Sequence, residues 1–323
     1  MPSVMGLGHT LTQGVKNQFA ASYEPLYQNI EAELRDIIWF DAPSDKISEL
    51  YAQFDTAPYP RRWDPGTPIP SSAMGGRQFR VQNRDFGFRI YLPKNWEDDQ
   101  TGYAMAMARD TGSHWATLAE RIFFEVIIGT ASLLPTTVSS ADGNALYLTT
   151  TRYGSSGGNV VTVTGTSTVQ QIITDYYGVV RRFTEFQDTQ GQPYFNHTYG
   201  GLKVVVGSSL TLVWRQALKQ IIVPLDASTA TSNAGVSNTI MAANDEPELV
   251  ISQRITDTKQ YYFKKGLPVD RRPLIRQIRK AQVEHIGNYE TSDHTRDTGE
   301  PYLQWDSREG WGSALAIGTV RVS

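Results

Sequence analysis

The fold is decided by residues 84–129, which read RDFGFRIYLPKNWEDDQTGYAMAMARDTGSHWATLAERIFFEVIIG. The first nine of these residues alternate between apolar and polar or small side chains, which is the period of a half-buried strand. The apolar ones share one face: Phe86, Phe88, Ile90 and Leu92. Pro93 ends the strand, because proline cannot donate to a strand ladder. The sequence therefore predicts a strand over residues 84–92 that leads directly into the next element.

A long helix is predicted for residues 98–128, where no proline occurs and where Asp98 and Asp99 suit a helix N-terminus. Its apolar and small residues recur at spacings of three and four and form one narrow stripe: Met105, Ala108, Gly112, Trp115, Ala119, Ile122 and Val126. One helix of this length would measure about 40 Å. We expect Met105, Trp115 and Ile122 to pack this helix against a thin sheet, as a scaffold element rather than a catalytic one.

Composition narrows the class of protein. The chain has 323 residues, a formal net charge of -3, 40% hydrophobic residues and no cysteine, which excludes disulfides and thiolate chemistry. Its sixteen Tyr and seven Trp suit either a protein–protein contact surface or the aromatic core of an ordinary β-rich domain. No secretion signal and no membrane-spanning run is evident, so we expect a soluble protein without membrane association.

The N-terminal quarter predicts helices followed by an extended arm. Residues 12–39 have an approximate helical period, which Pro25 is expected to divide into two pieces. Residues 56–80 contain five prolines interleaved with arginine and tryptophan, and Gly75-Gly76 marks a turn. Such a segment cannot form a core of its own. With the strand that follows, it predicts an extended hairpin or arm.

The rest of the chain predicts a mixed α+β order without βαβ alternation or internal repeats. A β-hairpin is expected from 145–151 and 159–164, with its turn at 154–158. The further expected elements are a helix from Ser167 or Thr168 to about 186, a strand at 201–207, a helix to 218 capped by Ser208 or Ser209, a long flexible loop at 226–247, strands near 248–252, 260–264 and 272–286, an irregular region at 288–312, and a final strand at 314–322.

Catalytic and metal-binding patterns are missing from the sequence. The five histidines show no metal-binding spacing, and the pair Asp293-His294 has no nucleophile elbow to complete a triad. The glycine run at 154–158 lacks the Lys-Ser/Thr ending of a phosphate loop. We therefore expect no catalytic residue, no metal ion, no cofactor and no enzymatic activity.

One cluster of basic residues allows two interpretations. It comprises Lys259, Lys264, Lys265, Arg271, Arg272, Arg276, Arg279 and Lys280. A basic face formed by Arg271, Arg272, Arg276, Arg279 and Lys280 would contact nucleic-acid phosphates with a salt-dependent affinity. The alternative, which we favour, is an ion-paired or solvated strand face.

The order of these parts resembles a tailed-bacteriophage major capsid protein of the HK97-like fold, and within that group the Mu-type major head subunit family. The resemblance rests on the junction at residues 90–102, IYLPKNWEDDQTG, and on FQDTQGQP at 186–193, which leads into LKVVVGSSL at 202–210. A helix, a D-x-x-G-x-P turn and a short strand running into a helix recur in this order in such families. The resemblance covers roughly residues 84–286.

The resemblance implies five parts: an N-terminal arm at 1–55, an extended loop at 56–95, a peripheral domain with a spine helix at 96–165, an axial domain at 166–255, and return strands of the peripheral domain with the C-terminal segment at 256–323. Residues expected at inter-subunit contacts of the arm and extended loop are Arg61, Arg62, Trp63, Arg77 and Arg80. Some relatives cross-link through a lysine on this loop, but residues 54–92 contain none, so we expect non-covalent contacts.

The implied function is an icosahedral shell of hexamers and pentamers around the DNA of a tailed phage, assembled in the host cytoplasm and found in the virion. The implied partners are other copies of the chain, a scaffolding protein, a portal protein and a decoration protein, with non-specific contact to packaged DNA at most. One alternative keeps the fold in an encapsulin-like compartment for protein cargo. Another, from a different class, is a β-rich carbohydrate-binding protein whose aromatics line a sugar groove.

Overall fold

The computed structural model describes most of the chain. The described residues are 13–23, 38–56, 62, 68, 75–92, 101–130, 132–134, 138, 140–152, 157–163, 168–188, 191–195, 201–219, 222–224, 235–237, 240, 246–287, 292–298 and 300–323. Helix α1 (13–23) confirms the first helical piece, whereas the kink expected at Pro25 and the arm residues Arg61 and Trp63 lie outside the described residues.

The first sheet has four strands in the order β1-β11-β12-β4. They are β1 (Trp39–Pro43), β11 (Leu274–Gly287), β12 (Tyr302–Ser313) and β4 (Arg84–Tyr91). β1 pairs with β11 in parallel, and the other pairs are antiparallel. The predicted alternation of β4 is confirmed, since Phe86, Phe88 and Ile90 are less exposed than the residues between them.

The expectation of an irregular region at 288–312 is wrong, because β12 is a twelve-residue strand in the middle of this sheet. Gly310 and Gly312 look like strand breakers in the sequence. They are glycines because strand β3 (Gly75–Gln82) crosses closely above them: a Cβ at Gly310 would lie 2.7 Å from the Gln82 carbonyl oxygen, and one at Gly312 would lie 2.4 Å from Val81. A short helix, α6 (Asp293–Thr298), precedes β12.

The second sheet has the order β5-β13-β10-β6-β9. Its strands are β5 (Val160–Val161), β13 (Thr319–Val322), β10 (Gln260–Lys264), β6 (Leu202–Gly207) and β9 (Glu248–Ser252). Every residue of β6 is buried, because helices cover both faces of the sheet. The predicted strands at 201–207, 248–252 and 260–264 are thereby confirmed.

Two helices cover one face of the second sheet. Helix α4 (Val169–Glu185) begins where predicted, since the Thr168 side chain accepts a hydrogen bond from the Gln171 backbone N–H at 3.2 Å. Helix α5 (Thr211–Lys219) follows a 3-10 turn, Ser208–Leu210, so the two serines lie inside that turn after Gly207 instead of capping the helix. The shared core includes Tyr176, Phe183, Trp214 and Tyr262.

An expected hairpin and an expected loop have a different structure. Residues 145–151 and 159–164 do not form a hairpin, because β5 pairs in parallel with β13 instead. The two segments still lie side by side, and the buried Asn159 side chain accepts from the Leu148 N–H and donates to the Leu146 carbonyl. Within the expected loop at 226–247, β8 (Gly235–Ser237) pairs with β7 (Ile222–Pro224), and Ile240 is fully buried.

The expected single helix at 98–128 is interrupted. Helix α2 (Thr101–Ala116) and helix α3 (Leu118–Ile128) are separated at Thr117, whose ψ is 4° and whose hydroxyl donates to the His114 carbonyl at 3.0 Å. Such a local hydrogen bond from a β-branched residue competes with the regular helix ladder. Helix α2 packs on the first sheet through Leu303 and Trp305. Helix α3 shares a core with the second sheet and also contacts the first, where Phe123 lies 5.3 Å from Trp39 between ring centres.

Candidate functional site

An extended hairpin leaves the first sheet and is the most prominent surface feature. Strands β2 (Ser48–Thr56) and β3 pair antiparallel from Ser48 opposite Gln82 to Thr56 opposite Gly75, with one register shift after Phe54. The sequence predicts a hairpin of residues 56–80 with the strand that follows, but β3 pairs with β2 instead, and β4 pairs with β12. The ladder begins at Ser48, eight residues before the proline-rich segment. A two-stranded ribbon has too little apolar surface to be stable alone.

A hydrogen-bond network fixes the base of this hairpin. The Asn83 side-chain amide donates to the Ser44 hydroxyl at 3.1 Å and to the Lys46 carbonyl at 2.7 Å. Gln277 on β11 donates to the same Ser44 hydroxyl at 3.0 Å and accepts from the Tyr51 hydroxyl at 3.1 Å. Because Ser44, Asn83 and Gln277 are all buried, the network sets the direction in which the hairpin leaves the sheet.

The two faces of the hairpin differ in character. Arg77, Phe79 and Val81 share the face toward β12, where Val81 is 1% exposed and Phe79 stacks on Tyr51 at 5.6 Å between ring centres. Arg80 lies on the opposite, exposed face. Arg77 and Arg80, which the sequence predicts together as contact residues, are therefore on different faces of the hairpin. Arg80 is directly opposite Leu50, which is 57% exposed.

Exposed apolar side chains beside an arginine are suited to a protein partner. Ile47, which precedes β2 at the base of the hairpin, is 60% exposed. Arg62 is exposed in the segment beyond β2. The contact role predicted for Arg61, Arg62, Trp63, Arg77 and Arg80 remains a prediction.

Helix α1 packs against the small residues on the apolar side of α2. Ala104 and Ala108 are fully buried, and a Cβ added at Gly112 would lie 2.3 Å from the Ser22 hydroxyl and 2.7 Å from the Phe19 carbonyl oxygen. The narrow stripe noted in the sequence is therefore a groove for α1. Sequence reasoning missed this partner, although the spacing of Ala104, Ala108 and Gly112 was the available signal.

The predicted packing residues of the long helix lie in three environments. Met105 lies beside Gly14 of α1, where its Cε is 2.8 Å from the position of an added Cβ. Trp115 contacts Phe88 with 5.3 Å between ring centres, next to the stacked pair of Phe19 and Trp305. Ile122 is fully buried in the core between α3 and the second sheet. Together they connect α1, the first sheet and the second sheet.

The basic cluster is largely engaged with carboxylates and carbonyls of the same chain. The Arg276 guanidinium pairs with the buried Glu309 carboxylate at 2.5 Å, and Lys280 pairs with Asp306. The hydrogen bond from Lys280 holds the pKa of Asp306 below its usual value. Arg272 donates to the Trp39 carbonyl at 3.0 Å, Arg279 is half-buried on β11, and Arg271 is exposed. The geometry favours the ion-paired interpretation over a continuous nucleic-acid face.

One buried carboxylate was not singled out in the sequence. Asp175 on α4 is 5% exposed, and it accepts hydrogen bonds from the side-chain amides of Gln171 at 2.7 Å and Gln260 at 3.0 Å. Burial raises the pKa of Asp175. Its neighbours are amides and the Tyr262 hydroxyl, which donates to Gln260 at 2.7 Å, so the contacts are those of a structural hydrogen-bond network.

Within the described ranges, no group of three or more His, Asp or Glu is arranged to hold a metal ion.

A cavity of about 450 Å³ lies between α1, the α2–α3 junction and strands β11 and β12. Its lining includes Trp115, Trp305, Arg276 and Glu309, which already contact one another or neighbouring side chains. Among the residues that the structure describes, no helix is long and apolar enough to cross a membrane.

Comparison with solved structures assigns the fold. The sequence itself matches no protein-family model and no curated protein. The structure is similar to the capsid of the cyanophage P-SCSP1u, with a TM-score of 0.52 and 8% identity over 89% of this chain and 86% of that chain. It is also similar to the capsid of a native GTA particle, with a TM-score of 0.52 and 9% identity over 88% of this chain and 87% of that chain.

A virus-like particle from Pyrococcus furiosus has a TM-score of 0.51 and 9% identity, and the match covers 95% of this chain and 98% of that chain. These similarities extend over nearly the whole length of each protein at very low sequence identity. The chain therefore has the mixed α+β, HK97-like fold that the sequence resemblance implied.

Proposed function

We propose that this chain is a major capsid protein of the Mu-type head subunit class, which assembles into the icosahedral shell of a tailed phage as hexamers and pentamers. The observation that carries the proposal is the hairpin β2–β3, which a buried hydrogen-bond network holds at its base and which exposes Leu50 and Arg80 on the face turned away from β12. The HK97-like fold supports it, because the similar structures are capsids and virus-like particles.

The arrangement suits assembly in physical terms. The hairpin buries only one face on its own sheet, so its other face gains apolar burial when a second subunit covers it. Its stiff base reduces the conformational entropy lost on docking. Arginine on the exposed face can form bidentate contacts with carboxylates of a neighbour. Many such contacts in one closed particle reinforce one another, so that each can be weak.

The proposed parts follow the ranges given above. The extended loop at 56–95 and the N-terminal arm at 1–55, which contribute β3 and most of β2 respectively, would contact neighbouring subunits. Helices α2 and α3 would form the spine, and the loop at 226–247 of the axial domain would approach the five-fold and six-fold axes. The spine role is supported by the way α2 and α3 connect the two sheets. The return strands of 256–323 complete both sheets.

The proposed partners are further copies of the chain together with scaffolding, portal and decoration proteins. Without a lysine in 54–92, shell contacts would be non-covalent. Because Arg276 and Lys280 are paired within the chain, contact with packaged DNA would be non-specific and weak. The proposed role is structural rather than enzymatic, in a particle assembled in the host cytoplasm.

A second candidate function is a protein-cargo compartment. The fold is shared with a virus-like particle from Pyrococcus furiosus over 98% of that chain, so it is compatible with a shell other than a phage head. Neighbouring genes separate the two functions: terminase and portal genes indicate a phage head, whereas a cargo enzyme gene indicates a compartment. The carbohydrate-binding alternative is supported less, because Trp39 and Trp214 are fully buried and cannot line a sugar groove.

The experiment compares the full chain with a variant whose hairpin is shortened. Because Thr56 pairs with Gly75, an Asn-Gly turn can replace residues 57–74 without disturbing the ladder. Light scattering and negative-stain electron microscopy should show closed particles or capsomer rings for the full chain only. Circular dichroism should show equal secondary structure and thermal stability for both. A full chain that stays monomeric at high concentration would contradict the proposal.

A further inference from the structure

Strand β4 has one edge that pairs with no strand of the described residues. It is a terminal strand of the first sheet, and β12 is the only strand that pairs with it among the described residues. The ladder with β12 runs for eight residues without a register shift, and no proline interrupts the strand. A long, regular and uninterrupted edge is a ready template for another strand, which monomeric proteins usually protect with proline, bulges or lysine.

The direction of its free backbone groups follows from one hydrogen bond. The Leu92 N–H donates to the Pro301 carbonyl at 2.8 Å, so the backbone of residue 92 points toward β12. Backbone groups in an antiparallel strand alternate between its two sides. The N–H and C=O groups of residues 85, 87, 89 and 91 therefore point to the unpaired side.

The side chains of these residues carry opposite charges on the exposed face of the sheet. The Asp85 side chain is 73% exposed and lies 3.1 Å from Arg308. Arg89 is exposed, donates to Gln304 from its Nε at 2.9 Å, and covers the ring of Tyr302 at 4.3 Å. Gly87 lies midway between them.

This pattern is self-complementary. When two copies of β4 pair antiparallel about Gly87, residue 85 of one copy lies opposite residue 89 of the other, twice by symmetry. Residues 85, 87 and 89 then all occupy hydrogen-bonded positions, consistent with their outward backbone groups. Opposite charges directly across such a pair are stabilising, and like charges are destabilising.

We propose that β4 is a homotypic docking edge, at which two copies of this chain join their first sheets across a two-fold axis centred on Gly87. The occupant is a second copy of the chain, because the charge pattern of β4 matches itself in this register. A shift by one backbone repeat places Asp85 opposite Tyr91 and separates both charge pairs. The inference rests on the proposed function only in requiring that copies of the chain meet in an assembly.

Charge exchange tests the pairing with matched variants. Asp85→Arg alone and Arg89→Asp alone each place like charges opposite one another at both positions. The double variant D85R/R89D restores opposite charges between identical copies, and an equimolar mixture of the two single variants restores them between unlike copies. Assembly is measured by sedimentation velocity and electron microscopy, after circular dichroism has shown that each variant is folded.

Each single variant should raise the protein concentration needed for assembly roughly 10- to 100-fold. The double variant and the mixture should return to within about threefold of the parent chain. If the parent assembles and the single variants assemble equally well, or if neither the double variant nor the mixture recovers, the edge pairing is overturned and the shell proposal remains.

A cysteine cross-link provides a second test that does not depend on shell formation. The chain has no cysteine, so D85C/R89C introduces the only two thiols. Opposite residues in a hydrogen-bonded pair are about 5.5 Å apart between Cα atoms, within reach of a disulfide. Oxidation at high concentration should give a covalent dimer with D85C/R89C and none with Asp85→Cys alone. Absence of the dimer would overturn the pairing even if the parent never forms shells.

Discussion

Replacement of Arg276 by methionine tests whether the basic strand β11 is a structural element or a nucleic-acid surface. Arg276 and Glu309 are 8% and 3% exposed, and their charged atoms are 2.5 Å apart. Arg276→Met would leave the Glu309 carboxylate buried without its counter-charge. Breaking a buried pair from one side costs about 3–5 kcal/mol. We expect the free energy of unfolding of the unassembled subunit to fall by that amount.

Two matched variants make this prediction specific. Arg276→Met with Glu309→Leu removes both charges, so its cost should fall to about 1–2 kcal/mol, because the desolvation of both ions disappears as well. Arg271→Met removes an exposed arginine from the same cluster and should change stability by about 0.5 kcal/mol at most. Denaturant unfolding followed by circular dichroism measures all three.

A DNA-binding strand would behave differently. If Arg276 contacted phosphates, Arg276→Met would leave stability near that of Arg271→Met, and the slope of DNA affinity against salt concentration would fall by about one. That pair of results would refute the ion-paired account. Unchanged salt dependence together with a loss of stability would support it.

Three further predictions address the cores. Gly112→Ala should destabilise the contact of α1 with α2 by about 1–3 kcal/mol and remove hydrogen-exchange protection from 13–23, because its Cβ would meet Ser22 and Phe19. Gly102→Ala lies on the same helix, and its added Cβ would meet no atom within 4 Å, so this variant should be neutral or stabilising by up to about 1 kcal/mol. Equal effects of Gly112→Ala and Gly102→Ala on stability would contradict the packing of α1 against α2. Asn159→Ala should cost about 3 kcal/mol in chemical denaturation, because the Leu148 N–H and the Ala316 and Thr319 carbonyls lose their side-chain partner, while the Leu146 carbonyl keeps Arg152. A cost below about 1 kcal/mol would contradict this. Burial raises the pKa of Asp175, so the native state binds its proton more tightly than the unfolded state, and stability falls as pH rises from the ordinary carboxyl range through the raised pKa. Thermal melting of the parent chain and of Asp175→Asn from pH 4 to 8 should therefore show the parent losing stability relative to the variant toward pH 8. A difference in melting temperature that stays constant over this range would contradict the raised pKa of Asp175.

Elements with a strong local signal were predictable from the sequence. Strand β4 shows its period of two, and α4 combines a threonine cap with a regular apolar side, so both lie where the pattern placed them. The turn at 188–193 was also recognisable: the Asp188 carboxylate accepts from the Gln192 N–H at 2.9 Å, and Gly191 has a φ of 78°.

The errors occurred where a distant part of the chain decides the local structure. Residues 288–312, which include Gly310 and Gly312, were expected to be irregular. The reason for these two glycines is the close crossing of β3, which lies more than 200 residues earlier in the chain and has no local sequence signal. Thr117 interrupts the long helix between a half that packs on the first sheet and a half that packs on both sheets. The parallel pairing of β5 with β13 likewise joins segments that no local turn signal connects.

The candidate site was predictable in kind but incomplete in detail. The proline and arginine pattern predicts an extended arm, whereas the hairpin of the structure takes one strand from before that segment, β2, and one from its end, β3. The network of Ser44, Asn83 and Gln277 that fixes its direction has no sequence signature, because three polar residues distant in the chain meet only after folding. The side of the hairpin that each arginine occupies became definable only when its register with β2 was known.

Cryo-electron microscopy of the purified full chain, concentrated under assembly conditions, tests whether the chain forms a shell. We expect closed icosahedral particles built from rings of five and six subunits, with the β2–β3 hairpin of each subunit lying on a neighbouring copy. A uniform population of monomers, or particles in which this hairpin contacts only its own subunit, would contradict it.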